Sequence, residues 1–183
     1  MLKEIRIHGR GGQGVVTTSE ILAIAAFNDS KQSQAFPAFG VERSGAPVQA
    51  FTRISDEKIT IRQQVYEPDY VIVLDSSLLS TVDVAKGLKD DGMLIINSDK
   101  PASALGLQTK ARVVEIDVSK KAIEVLGKPL VNVAVLGAFA AFTKEISLDS
   151  LLKAIGQEFE SKKEIAEKNK KLAEMVYNES LKK

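Results

Sequence analysis

The sequence predicts an α/β fold, and three observations carry that prediction. The chain opens with an apolar alternation over 2–7, a glycine-rich turn His8-Gly9-Arg10-Gly11-Gly12-Gln13-Gly14-Val15, and a helical pattern over 15–27. Tyr70-Val71-Ile72-Val73-Leu74 is a continuous apolar run of the kind that forms a strand buried on both faces of a sheet. Short β-rich segments alternate with helical ones as far as 147, and the remainder reads as helix. Together these give a three-layer, Rossmann-like domain with a mixed sheet and a C-terminal helical extension from about residue 148. A chain of 183 residues is expected to be one domain, 1–183, with a sizeable core.

The elements follow in order. Leu2, Ile5 and Ile7 mark the first strand, and Ile21, Leu22, Ile24, Ala25 and Ala26 the apolar face of the first helix. A weak alternation over 33–39 suggests a strand, and Gly40, Gly45 and Pro47 punctuate the loop after it. The β-rich runs 48–54 and 58–62 are separated by Ser55-Asp56-Glu57, a hairpin length, so an antiparallel pair is expected here and makes the sheet mixed. Asp75-Ser76-Ser77 reads as a turn and N-cap before a helix over 78–88. Strands are expected over 93–96 and 112–116. Helices are expected over 118–126, ended by Gly127, and over 131–143, which is apolar enough to be buried on most sides. Beyond 148, one or two helices carry the stripe Leu148, Leu151, Leu152, Ile155 and Phe159, continued by Leu172 and Val176. Glu158/Lys162, Glu164/Lys168 and Glu167/Lys171 are i,i+4 pairs in the favourable order, on a solvated face or on an arm that docks on a partner.

Composition removes several function classes. The net charge of +1 gives no electrostatic case for nucleic acid or an anionic membrane surface. The absence of cysteine excludes a disulfide framework, a zinc thiolate site, a cysteine nucleophile and an iron–sulfur cluster held by this chain. One histidine excludes a polyhistidine metal site. Nothing resembles a signal peptide, and no apolar run approaches the ~20 residues of a membrane span, so a cytoplasmic protein is expected.

The glycine turn is the main functional signal. Gly9, Gly11 and Gly14 match G-x-G-x-x-G, and Gly12 adds a fourth residue without a side chain. Such a turn costs chain entropy and makes sense if something must approach the backbone closely. Placed between strand and helix, it sets backbone N–H groups and a helix N-terminus in front of a phosphate. Arg10 offers a charge-assisted bond to that phosphate, and Thr17, Thr18 and Ser19 offer hydroxyls. The plainer reading is that the glycines only let helix and strand pack closely. A nicotinamide dinucleotide would need a carboxylate at the end of the second strand, and Ala35-Phe36-Pro37-Ala38-Phe39 has none. Asp29 comes too early, and Glu42 lies in the next loop. No Gly-Lys-Ser/Thr follows, so a P-loop fails as well. What remains is a cradle for a diphosphate whose nucleoside end is held differently, such as that of coenzyme A.

Other residues are open to two readings. His8 fits a packed, hydrogen-bonded side chain better than a catalyst. Arg43 can meet a carboxylate, a phosphate or Glu42. Asp75 is placed at the crevice over the strands' carboxyl ends, or serves only as an N-cap. No acid–base pair and no nucleophile with a base is evident, so the chain alone lacks a complete active site.

Three segments in this order resemble the gamma subunits of the 2-oxoacid:ferredoxin oxidoreductase family, most of all those of its pyruvate-using members: Gly9-Arg10-Gly11-Gly12-Gln13-Gly14-Val15, the loop from Phe39 to Val48, and Asn132-Val133-Ala134-Val135-Leu136-Gly137-Ala138. The resemblance covers nearly the whole chain. It implies a subunit, inactive alone, that assembles with alpha, beta and delta subunits. The alpha and beta chains would hold thiamine diphosphate, and the beta and delta chains the iron–sulfur clusters. The complex would decarboxylate a 2-oxoacid, reduce ferredoxin and pass the acyl group to coenzyme A. By this mapping Gly9, Arg10, Gly11, Gly12, Gln13 and Gly14 meet the coenzyme A phosphates. Arg43 and Asn132 match family motifs without an assigned contact. Two other readings stay open, a purely structural assembly subunit and a free-standing NAD-binding oxidoreductase. The oxoacid itself and a homodimer of the isolated chain also stay open.

Overall fold

The computed structural model describes residues 1–38 and 44–183. Six strands form one sheet: β1 (Leu2–Arg10), β2 (Gln32–Pro37), β3 (Pro47–Ser55), β4 (Tyr70–Val73), β5 (Met93–Asn97) and β6 (Arg112–Ile116). Five helices accompany them: α1 (Val15–Asn28), α2 (Ser119–Leu126), α3 (Ala134–Thr143), α4 (Leu148–Glu158) and α5 (Lys163–Ser180). The strand order is β2-β3-β1-β4-β5-β6. β1, β4, β5 and β6 run parallel, while β3 lies antiparallel to both β1 and β2. The sheet is therefore mixed, as expected.

Strand alternation sorts the two faces. Ile5 and Ile7 of β1, Ala50 and Ile54 of β3, Ile72 of β4 and Ile95 of β5 point to one side, where all five helices bury their apolar residues in a single cluster. α4 packs on α1 and α5 on α3, so the C-terminal helices belong to this layer system. α3 is buried over nearly its whole length, in keeping with its composition.

The opposite face carries Val71, Val73, Leu94 and Ile96, covered by Leu78, Val84, Ala85 and Leu88. This third layer is made of irregular chain and short 3-10 turns. The expected helix over 78–88 is replaced by one 3-10 turn, Ser76–Ser80, followed by turns. The reason is Arg6. Its guanidinium lies under this segment and donates to the carbonyls of Val84 and Lys86, which an α-helix would have claimed.

The expected strand over 58–62 is also absent, and with it the hairpin to 48–54. Both edges of β3 are already taken, by β1 on one side and β2 on the other. Segment 56–69 instead crosses the second face as irregular chain, held by Arg53. That side chain is fully buried and donates to Glu4 Oε1 at 2.7 Å, to the Gln63 carbonyl at 2.6 Å and to Gln34 Oε1 at 3.1 Å. On α5, Glu164 meets Lys168 as expected, while Glu167 pairs with Lys170 rather than Lys171. No helix among the described residues is long and apolar enough to cross a membrane.

Candidate functional site

The glycine turn joins the carboxyl end of β1 to α1, and its backbone has an alternating hand. Gly12 (φ 93°) and Gly14 (φ 78°) have positive φ, while Gln13 between them does not. The Gln13 N–H turns back to the Arg10 carbonyl, while the N–H groups of Gly12 and Gly14 meet no backbone acceptor among the described residues and are left as donors beside the helix start. α1 starts directly after it. Its N-cap is Gly14, which has no side chain to cap with, and its first turn holds no acidic residue. The first N–H groups of a helix have no intrahelical partner, so this end presents unclaimed donors and the positive end of the helix dipole.

Two clefts flank the turn. The first has a volume of about 490 Å³ and is lined by Gly11, Gly12 and Gly14, by Thr17, and by Ser44 and Gln49 from across β3. Among the described residues it contains no carboxylate. The second, of about 390 Å³, opens over the carboxyl ends of β4, β5 and β6. Among the described residues it holds Asp75, Asp99 and Asp117 against a single cation, Lys120, with an apolar wall that includes Leu74 and Val131.

The sequence-predicted residues divide between these places. Gly11, Gly12 and Gly14 line the first cleft, with Arg10 at its edge. Gln13 lines the second. Its Oε1 accepts the Arg10 N–H at 2.7 Å, and its Nε2 donates to Asp75 Oδ2 at 2.9 Å, so it ties the turn to the end of β4. Gly9 lines neither. A Cβ there would stand 2.5 Å from Val15 Cγ2, so this glycine serves helix-on-strand packing.

Arg10 is engaged within the protein. Its Nη2 donates to Ser77 Oγ at 2.8 Å, its Nη1 donates to the Gly45 carbonyl at 3.1 Å, and its Nε lies 3.3 Å from Asp75 Oδ2. Asp75 is thus the N-cap of the turn Ser76–Ser80 and also the partner of Gln13 and Arg10. Partial burial opposes its ionisation. The hydrogen bonds from Ser77 and Gln13 and the nearby Arg10 charge outweigh that and hold its carboxyl below the usual range.

Of the three hydroxyls at the start of α1, only Thr17 lines the cleft. Thr18 is buried, with Oγ1 against the carbonyls of Gly14 and Asn132, and Ser19 donates to the Val16 carbonyl. Asn132 lies against Gly14, on the approach to α3. Arg43 lies outside the described residues. His8 is buried and accepts from Arg6 Nε at 3.0 Å. Burial, with the Arg6 charge added, pushes its pKa down to about 3, so the ring is neutral and packed.

Ser44, Val48 and Gln49 were not legible as cleft residues. They reach the turn because β3 lies antiparallel beside β1, with Gln49 opposite His8 and Val48 opposite Gly9. A short turn–turn pairing fixes the same wall: Gly11 N–H donates to the Ala46 carbonyl, and Gly45 N–H to that of Gly11. The topology also counts against a nicotinamide site. In that fold the second strand pairs with the first in parallel and delivers a ribose-binding acid. Here β2 is an edge strand with β3 between it and β1.

The chain contains no cysteine, and among the described residues no group of three His, Cys, Asp or Glu side chains is arranged to hold a metal ion. Comparison with known proteins places the chain in a family. The family model for pyruvate ferredoxin/flavodoxin oxidoreductase matches residues 4–179. Pyruvate synthase subunit PorC of Methanocaldococcus jannaschii is 57% identical over 180 residues, covering 98% of each chain. The pyruvate/ketoisovalerate oxidoreductases common subunit gamma of Thermococcus kodakarensis is 50% identical over 97% of each. The crystal structure of pyruvate oxidoreductase subunit PORC from Thermotoga maritima superposes with a TM-score of 0.85 at 32% identity, over 97% of this chain and 96% of that one. A 2-oxoglutarate:ferredoxin oxidoreductase from Magnetococcus marinus, solved with 2-oxoglutarate, coenzyme A and succinyl-CoA bound, shares the fold alone. It is 19% identical with a TM-score of 0.78, and this chain matches 31% of its length. The chain belongs to the pyruvate ferredoxin/flavodoxin oxidoreductase family, as a gamma-type subunit.

Proposed function

We propose that this chain binds the diphosphate of coenzyme A within a pyruvate:ferredoxin oxidoreductase, in the cleft floored by Gly11, Gly12 and Gly14. The observation that carries the reading is the pair of positive-φ glycines Gly12 and Gly14, whose N–H groups meet no backbone acceptor among the described residues, running into an α1 N-terminus that no side chain caps. Backbone N–H groups there donate to phosphate oxygens, with Thr17 adding a hydroxyl. Arg10 and Gln13 act from behind, holding the turn to Asp75 and Ser77. Bound there, coenzyme A supplies the thiol that accepts the acyl group.

The chain itself moves no electrons. We assign thiamine diphosphate and the iron–sulfur clusters to partner alpha, beta and delta subunits of a cytoplasmic complex, with ferredoxin as acceptor and pyruvate as the oxoacid. Residues 1–183 act in it as one gamma-type domain.

The test is calorimetric titration of coenzyme A into the assembled enzyme carrying wild-type or Gly12→Val gamma chain. A Cβ at position 12 meets no atom within 4 Å, so the valine acts on the cleft and on the left-handed backbone rather than on the core. Affinity is expected to fall by at least about tenfold, the scale of one lost hydrogen bond to a charged group. Unchanged affinity would leave the chain an assembly subunit. One observation leans that way: the N–H groups of Gly11 and Gln13 are spent inside the protein, on the carbonyls of Ala46 and Arg10.

A further inference from the structure

The two edges of the sheet are finished differently. β6 forms one edge and carries the charged residues Arg112 and Glu115, and the Lys183 ammonium donates to the Glu115 carbonyl at 2.7 Å. β2 forms the other edge, and Gln32–Pro37 contains no charged residue. Edge strands are ordinarily blunted by charges, bulges or a covering element, because their unpaired backbone groups template another strand.

The register shows which groups of β2 are left over. The Ala38 N–H donates to the Gln49 carbonyl, so in the antiparallel alternation Phe36 and Gln34 also turn their backbone groups toward β3. Ser33 and Ala35 then point N–H and C=O outward, and Pro37 points out a carbonyl while having no N–H to satisfy. No strand among the described residues pairs with this edge.

The helix beside it carries matching side chains. Ser33 Oγ donates to the Ala23 carbonyl at 2.7 Å, which ties β2 to α1. Glu20, Ile24 and Phe27 follow one another at helical spacing on the outer face of α1, and Phe27 is 69% exposed. Glu20 stands near Glu158 of α4. Neither carboxylate has an ion-pair partner among the described residues. Partial burial and the Glu20 charge hold the Glu158 carboxyl above its usual range. The surface thus offers unpaired strand groups, an exposed aromatic ring and two carboxylates without a counter-charge. A second copy of the chain would bring the same acids to a two-fold contact, so the complementary occupant is basic.

We propose that the outer edge of β2 and the adjoining face of α1 dock an extended segment of a partner subunit, which pairs with Ser33 and Ala35 as an added strand and sets a Lys or Arg against Glu20 and Glu158. The inference rests on the reading of this chain as a subunit and is independent of where coenzyme A binds.

Amide-resolved hydrogen–deuterium exchange on the free gamma chain and on the assembled oxidoreductase tests it. The Ser33 and Ala35 amides are expected to exchange at least about tenfold more slowly in the complex, while those of Gln34 and Phe36, bonded to β3, are slow in both. Two variants read the side chains, with the Kd of the gamma chain for its partner subunits measured by surface plasmon resonance. Phe27→Asp should raise that Kd by about tenfold or more. Glu20→Lys should raise it by about threefold or more, while the thermal midpoint of the free chain stays at or above wild type because Glu158 gains an opposite charge. Unchanged affinity in both variants, or equal exchange of Ser33 and Ala35 in a complex that retains the gamma chain, overturns the inference and leaves the subunit reading standing. Protection that grows with concentration in the free chain assigns the edge to a second copy and overturns it as well. A gamma chain that joins no partner overturns both readings.

Discussion

The two clefts beside Gln13 share one end of the sheet and differ in charge. One is floored by backbone N–H groups and a helix start, and holds no carboxylate among the described residues. The other lies where α/β proteins commonly bind ligands, at the carboxyl ends of the parallel strands, yet three aspartates face one lysine there. Position in the fold would favour the second cleft for a nucleotide, and electrostatics favours the first. A dianionic diphosphate placed among Asp75, Asp99 and Asp117 would meet repulsion that Lys120 alone does not cancel. The glycine turn divides these two environments, and its own cation, Arg10, is used to hold the divide in place.

The largest expected effect breaks the comparison by swapping charge. Thr17→Glu puts a carboxylate into the first cleft and should weaken coenzyme A binding to the assembled enzyme by about thirtyfold or more. Asp117→Lys in the second cleft should change it by less than about twofold, because Asp117 does not line the first cleft and salt screens its charge. The reverse ranking in calorimetry would move the diphosphate to the second cleft.

A smaller effect tests the divide. Arg10→Ala and Asp75→Asn each loosen the turn, and each is expected to raise the Kd for coenzyme A by about three- to tenfold. Because both act through one hydrogen-bond network, the double variant should cost much less than the two losses combined. Full additivity would mean that Arg10 leaves Asp75 and touches the phosphate itself.

Stability is expected to separate from binding along the pH axis. His8 titrates near 6.5 when unfolded and at about 3 when folded. The unfolded chain therefore takes up the proton first, and stability falls as pH drops from about 6.5 toward 3, by up to about 1.4 kcal/mol per pH unit. Asp75 adds to the loss at the acid end: its folded pKa is depressed, so its contribution is present above the ordinary carboxylate range and disappears below it. In His8→Gln the slope of the thermal midpoint between pH 6 and 4 should flatten, with coenzyme A binding at neutral pH unchanged. A slope identical to wild type would contradict the neutral, buried ring. The smallest effect is at Lys168→Ala, whose exposed partner Glu164 should leave both the thermal midpoint and binding within error.

Much of this was legible in the chain. The glycine turn, the apolar run of β4 and the helical pattern after 148 are local signals, and each element formed where its periodicity placed it. What failed were segments whose fate is decided at a distance. Residues 58–62 have strand composition, but β3, their expected hairpin partner, has no free edge, because β1 and β2 flank it. Residues 78–88 have helix composition, but Arg6, on β1, claims the carbonyls of Val84 and Lys86. The site shows the same division. Its backbone could be read from four glycines, whereas the engagement of Arg10 depends on Ser77 and Asp75, and the approach of Asn132 to Gly14 spans well over a hundred residues.

The central claim is the location of the diphosphate, and the most direct measurement is a structure of the assembled oxidoreductase with coenzyme A bound. The account predicts phosphate oxygens at about 2.7–3.2 Å from the backbone nitrogens of Gly12, Gly14 or Val15, on the side of the turn away from Asp117. Phosphates seated over the carboxyl ends of β4–β6, or held by other subunits with the glycine turn empty, would contradict it.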